Sequence, residues 1–316
     1  MGSRLLMELH VAISAERFDE RLPGRVLGVG LIRGEYILRR ARRYIRDPRA
    51  CEQLTEYLYF VLEQFPDAPV WYRFSDAPSS EINLLEGTDA YLVEEFPEIG
   101  VRGMRRALQF PATFRREFES VAVVARQAAN LNVILPYVTE MGEVVFALDM
   151  ASQIGFRNQI GVMIETPAAV FHASGFRSLG IRHFVVGMND LSSLVIGAGR
   201  GSGFDRPTHP ALLGTLAALR ETLADVSLAI AGYQVVDMVD QVEKMGFDQV
   251  VVHYCSLPRL LGCELNDFRE IEFMKSFKCD DYRARLLRWV QDLYDQVDRS
   301  RGSELQSQLR SGVRRE

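Results

Sequence analysis

The chain has 316 residues, 47% of them apolar and 25% charged, which excludes a disordered or fibrous polymer and allows one large core. Its 37 Lys and Arg against 42 Asp and Glu leave a net charge of −5, so no general attraction to nucleic acid or to an anionic membrane is expected. No run approaches the roughly 18 uninterrupted apolar residues of a membrane span, and no basic segment precedes an apolar one at the N-terminus, so a cytoplasmic location is expected. The cysteines Cys51, Cys255, Cys263 and Cys279 form no C-x-x-C pair, against both a disulfide framework and a zinc site.

Short apolar, β-branched runs recur along the chain with segments of helical period between them, the signature of βα units and a parallel sheet. In chain order the strand candidates are Val26–Arg33, Pro69–Phe74, Glu98–Arg102, Leu131–Pro136, Ile160–Glu165, His183–Asn189, Ser227–Ala231 and Asp248–His253. Phe114–Asn130, Glu140–Phe156 and Val235–Met245 are among the intervening helix candidates. Eight such units over about 250 residues have the size of a (β/α)8 TIM barrel, with a doubly wound sheet as the structural alternative. The expected layout is an N-terminal extension at 1–23, the α/β barrel at 24–270, a C-terminal helix within 271–300 that includes the amphipathic stretch Asp281–Val297, and a disordered tail at 301–316.

In such a barrel the reactive groups collect at the C-terminal strand ends. Most of the apolar runs end in a polar residue: Arg33 with Glu35 beyond it, Arg73 with Asp76 beyond it, Arg102, Glu165, Asn189-Asp190 and His253. Singly each has a plain explanation, since Asp190 can cap a helix and Thr166-Pro167 has the form of an N-cap followed by Pro. Together they would crowd charges that a barrel interior cannot hold unpaired. Glu165 and Asp190 stand one βα repeat apart, so their carboxylates suit Mg²⁺, a hard ion that leaves positions for water and substrate oxygens. The surrounding arginines point to an anionic ligand, phosphate or carboxylate. The glycine run Gly197–Gly203 follows a helix-like segment, not a strand, and fails as a dinucleotide loop.

Over roughly residues 24–262 the chain resembles the phosphoenolpyruvate-binding barrel shared by enzyme I of the sugar phosphotransferase system, pyruvate phosphate dikinase and phosphoenolpyruvate synthase. The resemblance rests on GVGLIRGEYI, RFSDAPSSE, FPEIGVRGMR, GVMIETPAAV, VVGMNDLSSL and GFDQVVVHYCSLPR, in the family's order and spacing. It implies that Glu165 and Asp190 bind Mg²⁺, and that Arg33, Arg73, Arg102 and Arg200, with Asn189 and Asp76, hold phosphoryl and carboxylate groups. The family's seventh strand ends in Cys-Gly, and that cysteine protonates the pyruvate enolate. Here Ala231-Gly232 stand in its place, so the usual acid is missing, and His253, with Tyr233 and Cys255 near it in sequence, is the candidate substitute. No segment matches the family's phosphohistidine domain.

The expected activity is therefore a Mg²⁺-dependent phosphotransferase acting on phosphoenolpyruvate, pyruvate or a related small acid. It would exchange the phosphoryl group with a phosphohistidine on a separate protein, with Arg33, Arg73, Arg102 and His253 as catalytic candidates. An enolate-forming lyase or aldolase, or a non-catalytic phosphoenolpyruvate sensor, are the alternatives. The resemblance also admits a homodimer.

Overall fold

The computed structural model describes residues 7–199, 202–204, 206–262 and 265. The chain divides into two units, Met1–Asn266 and Asp267–Glu316, and every described residue belongs to the first. The expected C-terminal helix and tail, and Arg200, lie outside the described residues.

Eight strands close into a barrel in chain order: β1 Glu8–Ile13, β2 Gly28–Arg33, β3 Val70–Arg73, β4 Leu131–Leu135, β5 Ile160–Ile164, β6 His183–Gly187, β7 Ser227–Ala231 and β8 Gln249–His253. All neighbours are parallel, and β1 pairs with β8 to complete the ring, so no sheet edge remains exposed. The helices are α1 Gly34–Ala41, α2 Pro48–Gln64, α3 Ser79–Ile82, α4 Gly103–Gln109, α5 Pro111–Ala125, α6 Met141–Ile154, α7 Pro167–Ser178, α8 Met188–Ile196, α9 Pro210–Thr222, α10 Val239–Lys244 and α11 Leu257–Leu261. The architecture is the expected (β/α)8 barrel, with one irregularity: a loop containing a 3₁₀ turn at Leu22–Gly24, not an α-helix, joins β1 to β2.

Two of the expected boundaries are corrected. The first strand is Glu8–Ile13, inside the segment expected to be an extension, and it was inconspicuous because its run begins with a charged residue and carries His10. Glu98–Arg102 is no strand: Pro97–Ile99 form a 3₁₀ turn after an exposed Phe96, and Arg102 is the N-cap of α4. Its β-branched residues lie outside the ring, with Ile99 51% exposed. From Leu131 onward each expected strand is found to within a residue or two of its ends.

Strand side chains alternate between the barrel axis and the helical layer, so residues two apart share a face. Ala12, Leu31, Trp71, Ile134, Met163, Val185, Ala229 and Val251 pack together in the interior. One step of two toward the C-terminal ends brings the same face to Ser14, Arg33, Arg73, Glu165, Gly187, Ala231 and His253. One step the other way brings it to His10, Gly161, His183 and Ser227. There the His183 ring stacks on Trp71 at 3.8 Å between centroids, and a Cβ at Gly161 would meet both rings, at 3.0 and 3.3 Å. The floor is thus filled by aromatic and imidazole rings, and the parity that fills it also turns polar residues into the mouth.

Candidate functional site

Arg73 ends β3, and Asp76 follows in the loop that leaves it. Both are buried, with Asp76's side chain wholly enclosed. Arg73 donates to Glu35, in the first turn of α1, and its Nη1 stands 3.7 Å from Asp76. Arg102 reaches the same carboxylate from the head of α4, through Nε at 2.9 Å and Nη2 at 2.6 Å, a two-pronged ion pair. The remaining faces of its guanidinium meet the Glu98 carbonyl at 3.0 Å, both Asp190 oxygens at 3.4 Å and the Tyr137 ring at 4.4 Å. Arg102 therefore joins the site although it does not stand at a strand end.

Glu165 directly follows β5 and is 2% exposed. Its Oε1 accepts the Tyr137 backbone N–H at 2.7 Å. The next residue, Thr166, caps α7 by accepting from the Ala169 N–H at 3.0 Å, with Pro167 at the first helical position as the sequence indicated. Across from it, Gly187 leaves room for the carboxylate, because a Cβ there would stand 2.6 Å from Glu165 Oε2. Burial and the negative charges of Asp76 and Asp190 push the Glu165 pKa up to about 8, against the pull of Arg73 and Arg102. Asp190 lies in the first turn of α8 and faces Arg102, so it is not a helix cap.

Three guanidinium groups, Arg33, Arg73 and Arg102, thus share the mouth with four carboxylates, Glu35, Asp76, Glu165 and Asp190. Crowded carboxylates, one of them with its pKa raised by burial and by the other acids, are a donor set that fits a divalent cation. Glu165 and Asp190 are the pair that could hold it, although among the described residues no three His, Cys, Asp or Glu converge as a ready-made cage. Such a site would leave coordination positions to water and ligand.

Arg33 is different from the other two arginines. Its Nε donates to Ser14 Oγ at 2.8 Å, Nη2 to the same hydroxyl and to His253 Nε2 at 2.6 Å, and Nη1 to Tyr36 Oη at 3.4 Å. Its Cζ lies 4.1 Å from the Tyr36 ring centroid and 6.0 Å from that of Tyr233. None of these partners is a carboxylate, and among the described residues Arg33 forms no ion pair, although the nearby Glu35 charge helps to keep it protonated. A guanidinium can only donate, so His253 Nε2 is the acceptor here. The other imidazole nitrogen meets Cys255 Sγ at 2.7 Å.

The remaining candidates close the ring. Ala231 ends β7 and is 6% exposed; its methyl can neither give nor take a proton. Gly232 follows with φ +156°, where a Cβ would strike Met188 Cβ at 2.9 Å. The Tyr233 N–H then donates to Asn189 Oδ1 at 3.4 Å, tying the β7 loop to α8. The sequence reading missed Ser14, because β1 was missed, and Tyr137. The latter follows Pro136 beyond β4 with φ 48°, and its backbone N–H and ring both serve the site.

A sequence profile described as "PEP-utilising enzyme, PEP-binding domain" matches residues 7–259. The chain is 29% identical to a probable phosphoenolpyruvate synthase of Archaeoglobus fulgidus over 80% of its own length and 36% of that protein. It is 32% identical to the phosphoenolpyruvate synthase of Pyrococcus furiosus over 59% of its length and 25% of that protein. A protein of Escherichia coli named for the phosphoenolpyruvate-dependent phosphotransferase system is 29% identical over 69% of the chain and 30% of its own length. The chain thus spans about a third or less of these relatives. Among the described residues no helix is long and apolar enough to cross a membrane.

Proposed function

Because the chain belongs to the PEP-utilising enzymes, through their PEP-binding domain, we propose that its barrel mouth binds phosphoenolpyruvate, pyruvate or a close analogue and works as the acid-binding half of a Mg²⁺-dependent phosphotransferase. The observation that carries this reading is Arg33, whose hydrogen bonds go to Ser14, Tyr36 and His253 and to no carboxylate, beside two arginines already neutralised by buried acids. One anionic group would lie against Arg33, while Arg73 and Arg102, fixed by Glu35 and Asp76, would face charge building up on a transferring phosphoryl group. Ser14 and Tyr36 hold the Arg33 guanidinium in place before the ligand arrives, which lowers the cost of ordering it. Asn189 and, by the family pattern, Arg200 would complete the anion contacts. Mg²⁺, carried by Glu165 and Asp190, would supply positive charge to the two carboxylates that are not already committed to Arg73 and Arg102 through Glu35 and Asp76. The site would sit in the cytoplasm.

In the direction of phosphoenolpyruvate use, the bond from phosphorus to the enol oxygen breaks and one from phosphorus to an imidazole nitrogen forms. We assign that imidazole to a phosphohistidine domain on a separate protein. When such a protein is mixed with this chain, Mg²⁺ and radiolabelled phosphoenolpyruvate, the label should pass to its histidine. Label fixed stably on a histidine of this chain alone would overturn the assignment.

Ala231 supports a second reading. With a methyl group at the tip of β7, an enolate formed here would lack the family's proton donor, and carbon–carbon bond formation to a carbonyl partner needs no such donor. This lyase or aldolase reading leaves the number of arginines without a purpose, so phosphoryl transfer remains the preferred one.

A further inference from the structure

Helix α5 carries one residue that its apolar pattern does not call for. Phe114, Phe118 and Val121 are buried at the spacing of a core-facing stripe, and Glu117 lies in that stripe, three residues after Phe114, and is 4% exposed. A carboxylate among apolar side chains is costly unless its oxygens are used. Glu117 Oε1 is used three times, accepting from Tyr72 Oη at 2.7 Å, from the Ser75 N–H at 2.8 Å and from Ser75 Oγ at 2.7 Å. Burial pushes its pKa up, and the bonds from Ser75 and Tyr72 pull it back down. The three donors straddle the end of β3. There the Phe74 N–H still bonds to the neighbouring strand, at the Ile134 carbonyl 3.1 Å away, whereas the Ser75 N–H turns to α5. On either side of Glu117 in the helix, the Phe114 and Phe118 ring centroids each lie 4.8 Å from that of Phe74. Apolar packing thus places the segment against α5, and the carboxylate fixes the orientation of the Ser75 peptide plane.

We propose that Glu117 is a positioning residue for the barrel mouth, holding the Ser75 peptide so that Asp76 meets Arg102 and Arg73. The inference rests on the reading of that mouth as a site for an anion and Mg²⁺. Asp76 is the next residue in the chain, its side chain is wholly enclosed, and it takes both prongs of Arg102, at 2.9 and 2.6 Å. The same guanidinium stands 3.4 Å from both Asp190 oxygens. A turn of the Ser75 peptide plane would therefore pass from Asp76 to Arg102 and on to a carboxylate assigned to the metal. Tyr72 ties Glu117 to the barrel itself, because it alternates with Trp71 and Arg73 along β3 and so faces the helices. The effect of Glu117 is carried by Ser75 and Asp76, not by contact with the ligand.

The test uses the full chain and compares Glu117→Gln, which keeps an oxygen acceptor at the same place, with Glu117→Leu, which keeps the bulk and loses the acceptor. Oxalate is titrated calorimetrically with Mg²⁺ present, at a temperature where each variant is folded by circular dichroism. Glu117→Leu should bind oxalate about 10–100-fold more weakly, the range for loss of a group that orients a site's own ligands, and Glu117→Gln should stay within about threefold of the natural protein. The second readout needs no ligand: solvent exchange of the Arg102 Nε–H, followed by nitrogen-edited NMR, should be faster in Glu117→Leu and unchanged in Glu117→Gln. A merely structural Glu117 would lower the stability of Glu117→Leu and leave both readouts alone. Should that variant fail to fold, the double variant Tyr72→Phe, Ser75→Ala, which spares only the Ser75 N–H among the three donors, should speed the same exchange. If the natural protein does not bind oxalate with Mg²⁺, the reading of the mouth fails, and the Arg102 exchange still decides the role of Glu117. Oxalate affinity or Arg102 exchange unchanged in Glu117→Leu, exchange unchanged in the double variant, or a loss in Glu117→Gln as large as in Glu117→Leu would each overturn the proposal.

Discussion

Gly187 tests how closely the site depends on one missing methyl group. Its φ of −87° is open to any residue, so Gly187→Ala strains no backbone dihedral and the effect comes from contact alone. The new Cβ would stand 2.6 Å from Glu165 Oε2, 2.8 Å from Glu165 Cβ and 2.9 Å from Met163 Cε. Ordinary carbon contacts begin near 3.5 Å, so the neighbours must yield by roughly 0.6 to 0.9 Å. Rotating the carboxylate relieves the first clash but not the second, because Glu165 Cβ is fixed to the strand, so β5 and β6 must also part slightly. Overpacking of this kind costs about 1–3 kcal/mol of stability. Displacing a ligand-positioning group by about 1 Å can cost on the order of 10²-fold in function, and a loss of that size is expected in oxalate affinity measured with Mg²⁺. The control is Gly214→Ala in α9, where a Cβ meets nothing within 4 Å. It should raise stability by about 0.5–1 kcal/mol and leave oxalate binding alone. If Gly187→Ala were as stable as the parent and bound oxalate equally well, Glu165 would not be packed against that glycine as described.

Acid should weaken the barrel floor: burial holds the His183 pKa down at about 3, against 6.5 for the free side chain, and also lowers that of His10. Below pH 6.5 His183 therefore binds more protons in the unfolded chain than in the folded one, opposite in sign to Glu165, and it alone should cost about 2 kcal/mol by pH 5, read as the difference in urea midpoints between the natural protein and His183→Gln; an equal pH dependence in the two would refute it. Asp76→Ala leaves Arg102 and Arg73 buried without their shared carboxylate and should destabilise by about 3–5 kcal/mol in chemical denaturation, so a loss below about 1 kcal/mol would show that the pair is not sealed from water. If pyruvate binds, exchange of its methyl protons in heavy water should be slow in the natural protein and faster in Ala231→Cys, by a factor within the roughly 10²–10⁴ of general acid catalysis. Rapid exchange by the natural protein that disappears in His253→Ala would instead assign the acid role to His253.

The barrel was legible because its strands after Leu131 are continuous apolar runs that only a doubly covered parallel sheet can bury. Glu8–Ile13 was not, because His10 is accommodated by close packing that no linear pattern announces: a Cβ at Gly28 or Gly30 would crowd it at 3.1 and 3.0 Å. Glu98–Arg102 shows the converse, since Ile99 and Val101 have strand composition but belong to a loop that carries Arg102 to Asp76. At the mouth, Arg33, Arg73, Glu165 and His253 could be read from their positions at the ends of runs. What could not be read was how the charges pair. Arg73 is neutralised by Glu35 and Arg102 by Asp76, while Arg33 rests on Ser14, from a strand that the sequence concealed.

The central claim, a mouth that takes a divalent cation and an enolpyruvate-like acid together, is tested most directly by calorimetric titration of oxalate with and without Mg²⁺. The natural protein should bind oxalate tightly only when Mg²⁺ is present, and Glu165→Gln and Asp190→Asn should each weaken that binding strongly, since each removes one of the two carboxylates assigned to the ion. Oxalate binding that is indifferent to Mg²⁺, or unchanged in both variants, would contradict the account.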